Sequence, residues 1–160
     1  MLIPAIVKKD EIKEKIASLY YTEDMTYLAG YRCNWMPNIQ DCPDESTFQF
    51  AIVNDNLELL GYLGYTIDWY SLSAFGFVII SFDKGNILVG EALFTELEKI
   101  IKEYKIHRIE WRMISGNPAE RAYDKFLEKY HGTKHILKDV FKDQRGNYHD
   151  DIIYEIIIKK

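Results

Sequence analysis

Three stretches of this chain carry residue types that can do chemistry. The first is an apolar strand-like run at residues 75–82 that passes through Asp83, Lys84, Gly85 and Asn86 straight into a helical pattern. A helix that starts directly after a strand aims several unpaired backbone N–H groups, and the positive end of its dipole, at one spot in the turn. An anion can sit there without a dedicated basic pocket, although an ordinary strand-to-helix connection has the same outline. The second is GNPAERAYDKF at residues 116–126, where a phenol at Tyr123 can donate a proton or a hydrogen bond to a departing thiolate. Ala119, Ala122, Tyr123, Phe126 and Tyr130 also share the spacing of a buried helical stripe, so a core tyrosine is the plainer reading. The third is the aromatic and acidic segment 20–35. Its Glu23, Asp24, Tyr27, Tyr31 and Trp35 can wall a pocket for a cation, or equally cover a sheet.

Other chemistries find less support. Of the four histidines only His131 and His135 have i,i+4 spacing, and Gly132 between them ends the helix that would align them, so no metal is expected. Cys33 and Cys42 match no zinc or redox spacing, and the start of the chain lacks the long apolar core of a signal peptide, which points to a cytoplasmic protein with free thiols. The longest mainly apolar run, 74–82, is far below the roughly 20 residues a membrane-spanning helix needs. With 20 Lys and Arg against 25 Asp and Glu, a net charge of −5 argues against nucleic acid as a partner and mildly favours cationic ones. At 160 residues and 48% hydrophobic content, residues 1–160 are expected to form one domain around one sizeable core.

The elements that must position these residues follow from periodicity. Ile12, Ile16, Leu19 and Tyr20 fall on one face of a helix over 9–20, and a short helix is expected near 24–31. Strands at 47–53, 58–65 and 75–82, separated by turns at 54–56 and 68–73, imply an antiparallel meander. From Glu91 onward, Leu93, Leu97, Ile100, Ile101 and Tyr104 form a helical stripe, with Glu98 and Lys102 paired outside it. Residues 108–114 alternate as a strand does, and a strand that follows a helix that follows a strand lies parallel to the first through a right-handed crossover. Asn117 as N-cap, Pro118 at the first helical position and Glu120 in a capping-box-like pattern open a helix to about residue 130. Strands at 134–142 and 148–158 close the chain around a turn at 143–147.

This order of elements, with residues 80–93 and 116–123, resembles the GNAT superfamily of N-acetyltransferases over roughly residues 48–158. The fold implied is α+β: a mixed, mostly antiparallel sheet of six to seven strands, helices on both faces, and a splayed parallel pair at the cofactor site. In that family a phosphate-binding loop of pattern Q/R-x-x-G-x-G/A follows the fourth strand. Here the matching positions are Gly85, Asn86, Ile87, Leu88, Val89 and Gly90, of which only the last glycine fits the pattern. The implied cosubstrate is acetyl-CoA, with backbone groups near Val78, Ile80 and Phe82 pairing with the pantetheine arm. Gly85, Asn86, Val89 and Gly90 in the phosphate-binding loop would contact the cofactor, as would Asn117, Ala119 and Tyr123, and Tyr123, near the cofactor sulfur, would be the general acid. Lys84, Arg121 and Lys125 are further candidates for phosphate contacts.

The implied activity is acyl transfer to a primary amine of a small molecule or a protein. A catalytically inactive CoA-binding or regulatory module is the alternative. Several family enzymes place a glutamate early on the fourth strand, where this chain reads Ser71-Leu72-Ser73-Ala74-Phe75, so Asp68, Glu110 or a water relay is left as the base. A monomer or homodimer is expected, the Ile-rich closing hairpin offering a possible dimer edge.

Overall fold

The computed structural model describes residues 1–20, 22, 27 and 36–159, and the helix expected near 24–31 lies outside them apart from Tyr27. Among these residues seven strands form one sheet: β1 (Leu2–Pro4), β2 (Thr47–Val53), β3 (Leu59–Asp68), β4 (Ser73–Ser81), β5 (Arg108–Ile114), β6 (Thr133–Lys142) and β7 (Tyr148–Ile157), in the order β1-β2-β3-β4-β5-β7-β6. All neighbours are antiparallel except β4 and β5. Helices α1 (Lys9–Leu19), α2 (Ile87–Lys102) and α3 (Glu120–Lys129) pack against it, and a short 3-10 turn (Ala5–Lys8) leads into α1. No helix among the described residues is long and apolar enough to cross a membrane.

Alternation along the strands divides the core. Ile52, Leu63, Tyr65, Ile109, Trp111, Met113, Ile152, Tyr154 and Ile156 turn to the face covered by α2 and α3, whose Leu93, Leu97, Ile100, Tyr123, Phe126 and Leu127 join the same cluster. Ala51, Val53, Leu59, Tyr62 and Ile80 turn to the other face, where Ile12 and Ile16 of α1 meet them. Burying each large aliphatic side chain is worth about 2 kcal/mol, so the two stripes hold the helices on opposite faces of the sheet as expected.

Several boundaries differ from those the sequence suggests. β3 runs on to Asp68, because Thr66 and Ile67 still pair with β4. β4 begins at Ser73, two residues earlier, where it pairs with Asp68. β1, too short to leave a periodic signal, pairs with β2 at Leu2↔Ile52. The capping box on α3 is not formed: Glu120 pairs with Lys134 at 2.9 Å instead of reaching back, and the helix begins at Glu120 after a turn. Asn117 does cap that turn, its Oδ1 accepting from Ala119 N at 2.9 Å.

Candidate active site

The site is an opening between two parallel strands. β4 and β5 pair at Ser73↔Arg108 and Ala74↔Ile109, and nowhere further along. The cause lies on the other side of β4. Between Thr66↔Phe75 and Gly64↔Val78, two steps along β3 match three along β4, which is a bulge, and Gly76 inside it has φ +66°. An added Cβ at Gly76 would meet only Thr66 Oγ1 at 4.0 Å, so backbone conformation rather than space asks for glycine there. The bulge turns β4 away from β5, as the resemblance implies.

Which amides line the opening follows from pairing parity. Phe82 N–H donates to Leu60 O at 2.8 Å, and the same register carries on to Tyr62↔Ile80 and Gly64↔Val78. In an antiparallel pair, alternate residues exchange hydrogen bonds and those between turn their backbone groups the other way. The polar backbone of Val78, Ile80 and Phe82 is therefore spent on β3, and that of Ile79 and Ser81 points into the opening. These lie one residue along the strand from Val78, Ile80 and Phe82, the positions that the sequence reading names. The side chains of Val78, Ile80 and Phe82 lie on the α1 face.

At the head of the opening stands the N-terminus of α2. Asn86 caps it: Oδ1 accepts from Leu88 N at 3.0 Å, Nδ2 donates to Asp83 Oδ2 at 2.8 Å, and its backbone carbonyl accepts from Val89 N at 3.3 Å. Gly85 has φ +76°, and a Cβ there would meet nothing within 4 Å. Above Gly90 the nearest atom to such a Cβ is a Phe94 ring carbon at 4.0 Å, while Val89 is buried against the sheet. No acidic residue stands in the first turn itself, Asp83 beside the cap being the nearby carboxylate already bonded to Asn86, and Lys99 and Lys102 stand in the last. The loop lacks the family's glycines, yet its surface is open at Gly85 and Gly90.

Tyr123 faces the sheet from α3 with 6% of its surface exposed, in an aromatic enclosure. Its ring meets Phe94, Trp111 and Tyr154 edge to face at 6.1, 6.0 and 5.5 Å. Burial pushes its phenol well above the ordinary tyrosine range, and no hydrogen bond engages it among the described residues. Tyr154, by contrast, donates to Asp124 Oδ1 at 3.1 Å, and Lys134 ties Asp124 to Glu120. Trp111 stacks on Tyr154 at 5.3 Å. These partners come from β5 and β7, so only strand pairing brings them to Tyr123.

The candidate bases are otherwise engaged. Asp68 accepts from Ser71 Oγ at 2.7 Å and from Tyr70 N at 2.9 Å, and these bonds hold its carboxyl below the usual range. Glu110 pairs with Arg108 at 2.5 Å, and Arg108 in turn reaches Glu155 at 2.6 Å. Sequence reasoning passed over Asp151, a fully buried carboxylate on β7 that meets Arg112 of β5 at 2.7 Å. Its neighbours in sequence look like turn residues, and only the β5–β7 register at Ile114↔Asp151 places it inside.

Among the proposed acceptor residues, Glu23, Asp24, Tyr31 and Trp35 lie outside the described residues. Tyr27 is described: its carbonyl stands 3.5 Å from Asn117 Nδ2, and its hydroxyl 3.7 Å from where a Cβ on Gly116 would be. That sets it over the end of β5. His131 has φ +52° beyond the end of α3, and His135 lies on β6 against Glu155 at 3.2 Å, so helical i,i+4 alignment of the two does not occur. Among the described residues no three His, Cys, Asp or Glu side chains are grouped to hold a metal ion.

No protein-family model and no curated protein matches this chain. Solved structures do. A manganese complex of spermidine/spermine N-acetyltransferase SpeG from Vibrio cholerae superposes with TM-score 0.58 at 16% identity, over 91% of this chain and 88% of that one. A chimera of the Vibrio cholerae enzyme with hSSAT gives TM-score 0.58 at 20% identity over 71% and 68%. A dodecameric structure of the same enzyme gives 0.55 at 19% over 71% and 66%. At these identities the likeness establishes the fold: the chain has the GNAT fold of these N-acetyltransferases.

Proposed function

We propose that this protein is an acetyl-CoA-dependent N-acetyltransferase that acetylates a primary amine of a small molecule or a protein. One observation carries the reading: the bulge at Gly76 opens β4 from β5, and the open N-terminus of α2 stands at the head of that opening. The residues present suit the cosubstrate. Backbone groups of Ile79 and Ser81 would hold the pantetheine arm as an added strand would, and the first turn of α2 with Gly85 and Gly90 would hold the pyrophosphate. Acetyl-CoA supplies an acyl group activated as a thioester. Tyr123 would hold a proton at Oη and donate it, or a hydrogen bond, to the departing sulfur.

Asn117 and Ala119 set the start of α3 and so the height of Tyr123. Tyr27 marks the side from which the amine would approach, with Glu23, Asp24, Tyr31 and Trp35 as further candidates. Spermidine and spermine head the acceptor screen, because neighbours of this fold act on them and this chain is acidic. No metal is invoked, and the assembly proposed is a monomer or homodimer, which light scattering measures directly.

A thermal-shift titration is the first test, since a ligand of the folded state raises the melting temperature with its concentration. The expected result is a rising shift with acetyl-CoA and CoA, followed by thiol release with an amine. No shift would remove both the cofactor and the activity. The engagement of Asp68 and Glu110 by their neighbours supports a second reading, a CoA-binding or regulatory module without turnover. Binding without thiol release across an amine library would favour it.

A further inference from the structure

The bulge that opens the sheet and the helix that heads the opening are joined by one buried pair. Tyr65 of β3 is the residue skipped by the register between Gly64 and Thr66, so it stands opposite the bulge. Its ring is stacked between Phe48 at 4.9 Å and Phe77, the residue after Gly76, at 5.0 Å. Its hydroxyl donates to Glu96 Oε1 of α2 at 2.6 Å, and Lys99 Nζ lies 3.7 Å from the same oxygen. Tyr65 is 2% exposed and Glu96 4%, among Leu63, Leu97 and other apolar side chains.

A carboxylate in such a place is a poor way to gain stability, because desolvating it costs about as much as its partners return, and apolar replacements of a buried polar pair are often neutral or better. What the pair supplies is position. Apolar packing lets a helix slide or turn slightly on a sheet, whereas a single short hydrogen bond at a fixed point sets its place. Since α2 is a rigid rod from Asn86 to Lys102, the place fixed at Glu96 is transmitted to the first turn. Tyr65 fixes the bulge through Phe77 with the same side chain. The two halves of the opening, the amide edge of β4 and the N-terminus of α2, are thereby referred to one residue.

We propose that Tyr65 and Glu96 are positioning residues that set the first turn of α2 against the open edge of β4, and so determine affinity for the acyl-CoA. This rests on the acyl-CoA reading of the opening. The test is titration calorimetry with acetyl-CoA on the whole chain, alongside melting curves, for wild type, Tyr65→Phe, the apolar pair Tyr65→Phe/Glu96→Leu, and Glu96→Gln. A control is Tyr62→Phe, which removes an equally buried hydroxyl bonded to Gln49 at 3.1 Å on the α1 face. The expected result is a roughly tenfold weaker Kd for the apolar pair with a melting temperature at or above wild type. Tyr65→Phe should show a smaller loss, Glu96→Gln, which retains an acceptor, near wild-type affinity, and Tyr62→Phe unchanged affinity. A Kd within twofold of wild type in both Tyr65→Phe and the apolar pair would overturn the positioning role, and if the pair fails to fold, Tyr65→Phe alone decides. A wild-type protein that does not bind acetyl-CoA would overturn the acyl-CoA reading itself, and this inference with it.

Discussion

The chain writes the same local device on both sides of the opening and puts it to different uses. After β4 comes Gly85-Asn86, and after β5 comes Gly116-Asn117. Both glycines take positive φ, +76° and +84°, and both asparagines accept a hydrogen bond from the backbone N–H two residues on, at 3.0 and 2.9 Å. The difference lies in what covers them. At α2 the start is bare: Ile87 is 72% exposed, Leu88 40%, and the space over Gly85 is open. At α3 Tyr27 lies over Gly116, and Ala119 packs on the core. A capped helix start is thus a place for an anion only where the tertiary structure leaves it open; where it is covered, it sets the height of the side chains that follow.

Four experiments break or sharpen that comparison. The largest effect is expected at the covered start, where Tyr123→Phe should lower turnover by about a hundredfold or more with acetyl-CoA affinity kept. Steady-state kinetics beside calorimetry read both, and unchanged turnover would remove Tyr123 from the mechanism. Next, Leu88→Glu sets a negative charge on the open start. It should weaken acetyl-CoA binding about tenfold while the melting temperature of the free protein holds or rises slightly, because an acid at a helix N-terminus is favourable. Ala122→Glu, at an exposed position in the first turn of α3, should leave affinity within about twofold, and equal losses at both starts would erase the distinction drawn between them.

Smaller effects follow from the caps. Asn86→Ala and Asn117→Ala should each cost about 1 kcal/mol, a fall of roughly 2–4 °C in melting temperature, with the larger loss of acetyl-CoA affinity at the first. The smallest effect is one of pH. Phenols of the unfolded chain ionise near 10, and burial holds Tyr123 above that. Stability is therefore whole below about pH 10 and declines as pH rises further, since unfolding then releases a proton that the fold retains. Tyr62, Tyr65 and Tyr154 are raised by burial as well, Tyr62 to about 12, so Tyr123→Phe should make the alkaline fall in melting temperature shallower without removing it. An unaltered slope would mean that this phenol is not protected in solution.

Particular elements show what could be read in advance. β5 occupies the residues its alternation marks, because its buried face keeps a period of two, and β2 occupies the short apolar run that ends at the 54–56 turn. The Asn117 turn was legible too, its hydrogen bond spanning only two residues. β4 was not. Its residues read as one apolar run, but a bulge at Gly76 changes the side to which its later amides turn, which moved the candidate groups from Val78, Ile80 and Phe82 to Ile79 and Ser81. Tyr123 was legible as a helical stripe residue, and its neighbours Trp111 and Tyr154 were not, since they reach it from other strands.

What the sequence by itself determined are the interactions closed within a few residues: the apolar stripes of α1 and α2, the strand periods, and two glycine–asparagine starts with their caps. The tertiary structure decided which of those starts stays open, which edge of β4 carries outward amides, and that a tyrosine on β3 meets a glutamate on α2. The physical reason is range. A cap or a stripe is a bond between near neighbours and is written where it occurs, whereas exposure, pairing parity and the Tyr65–Glu96 contact depend on a register between strands and helices far apart in the chain, which one bulged residue is enough to shift.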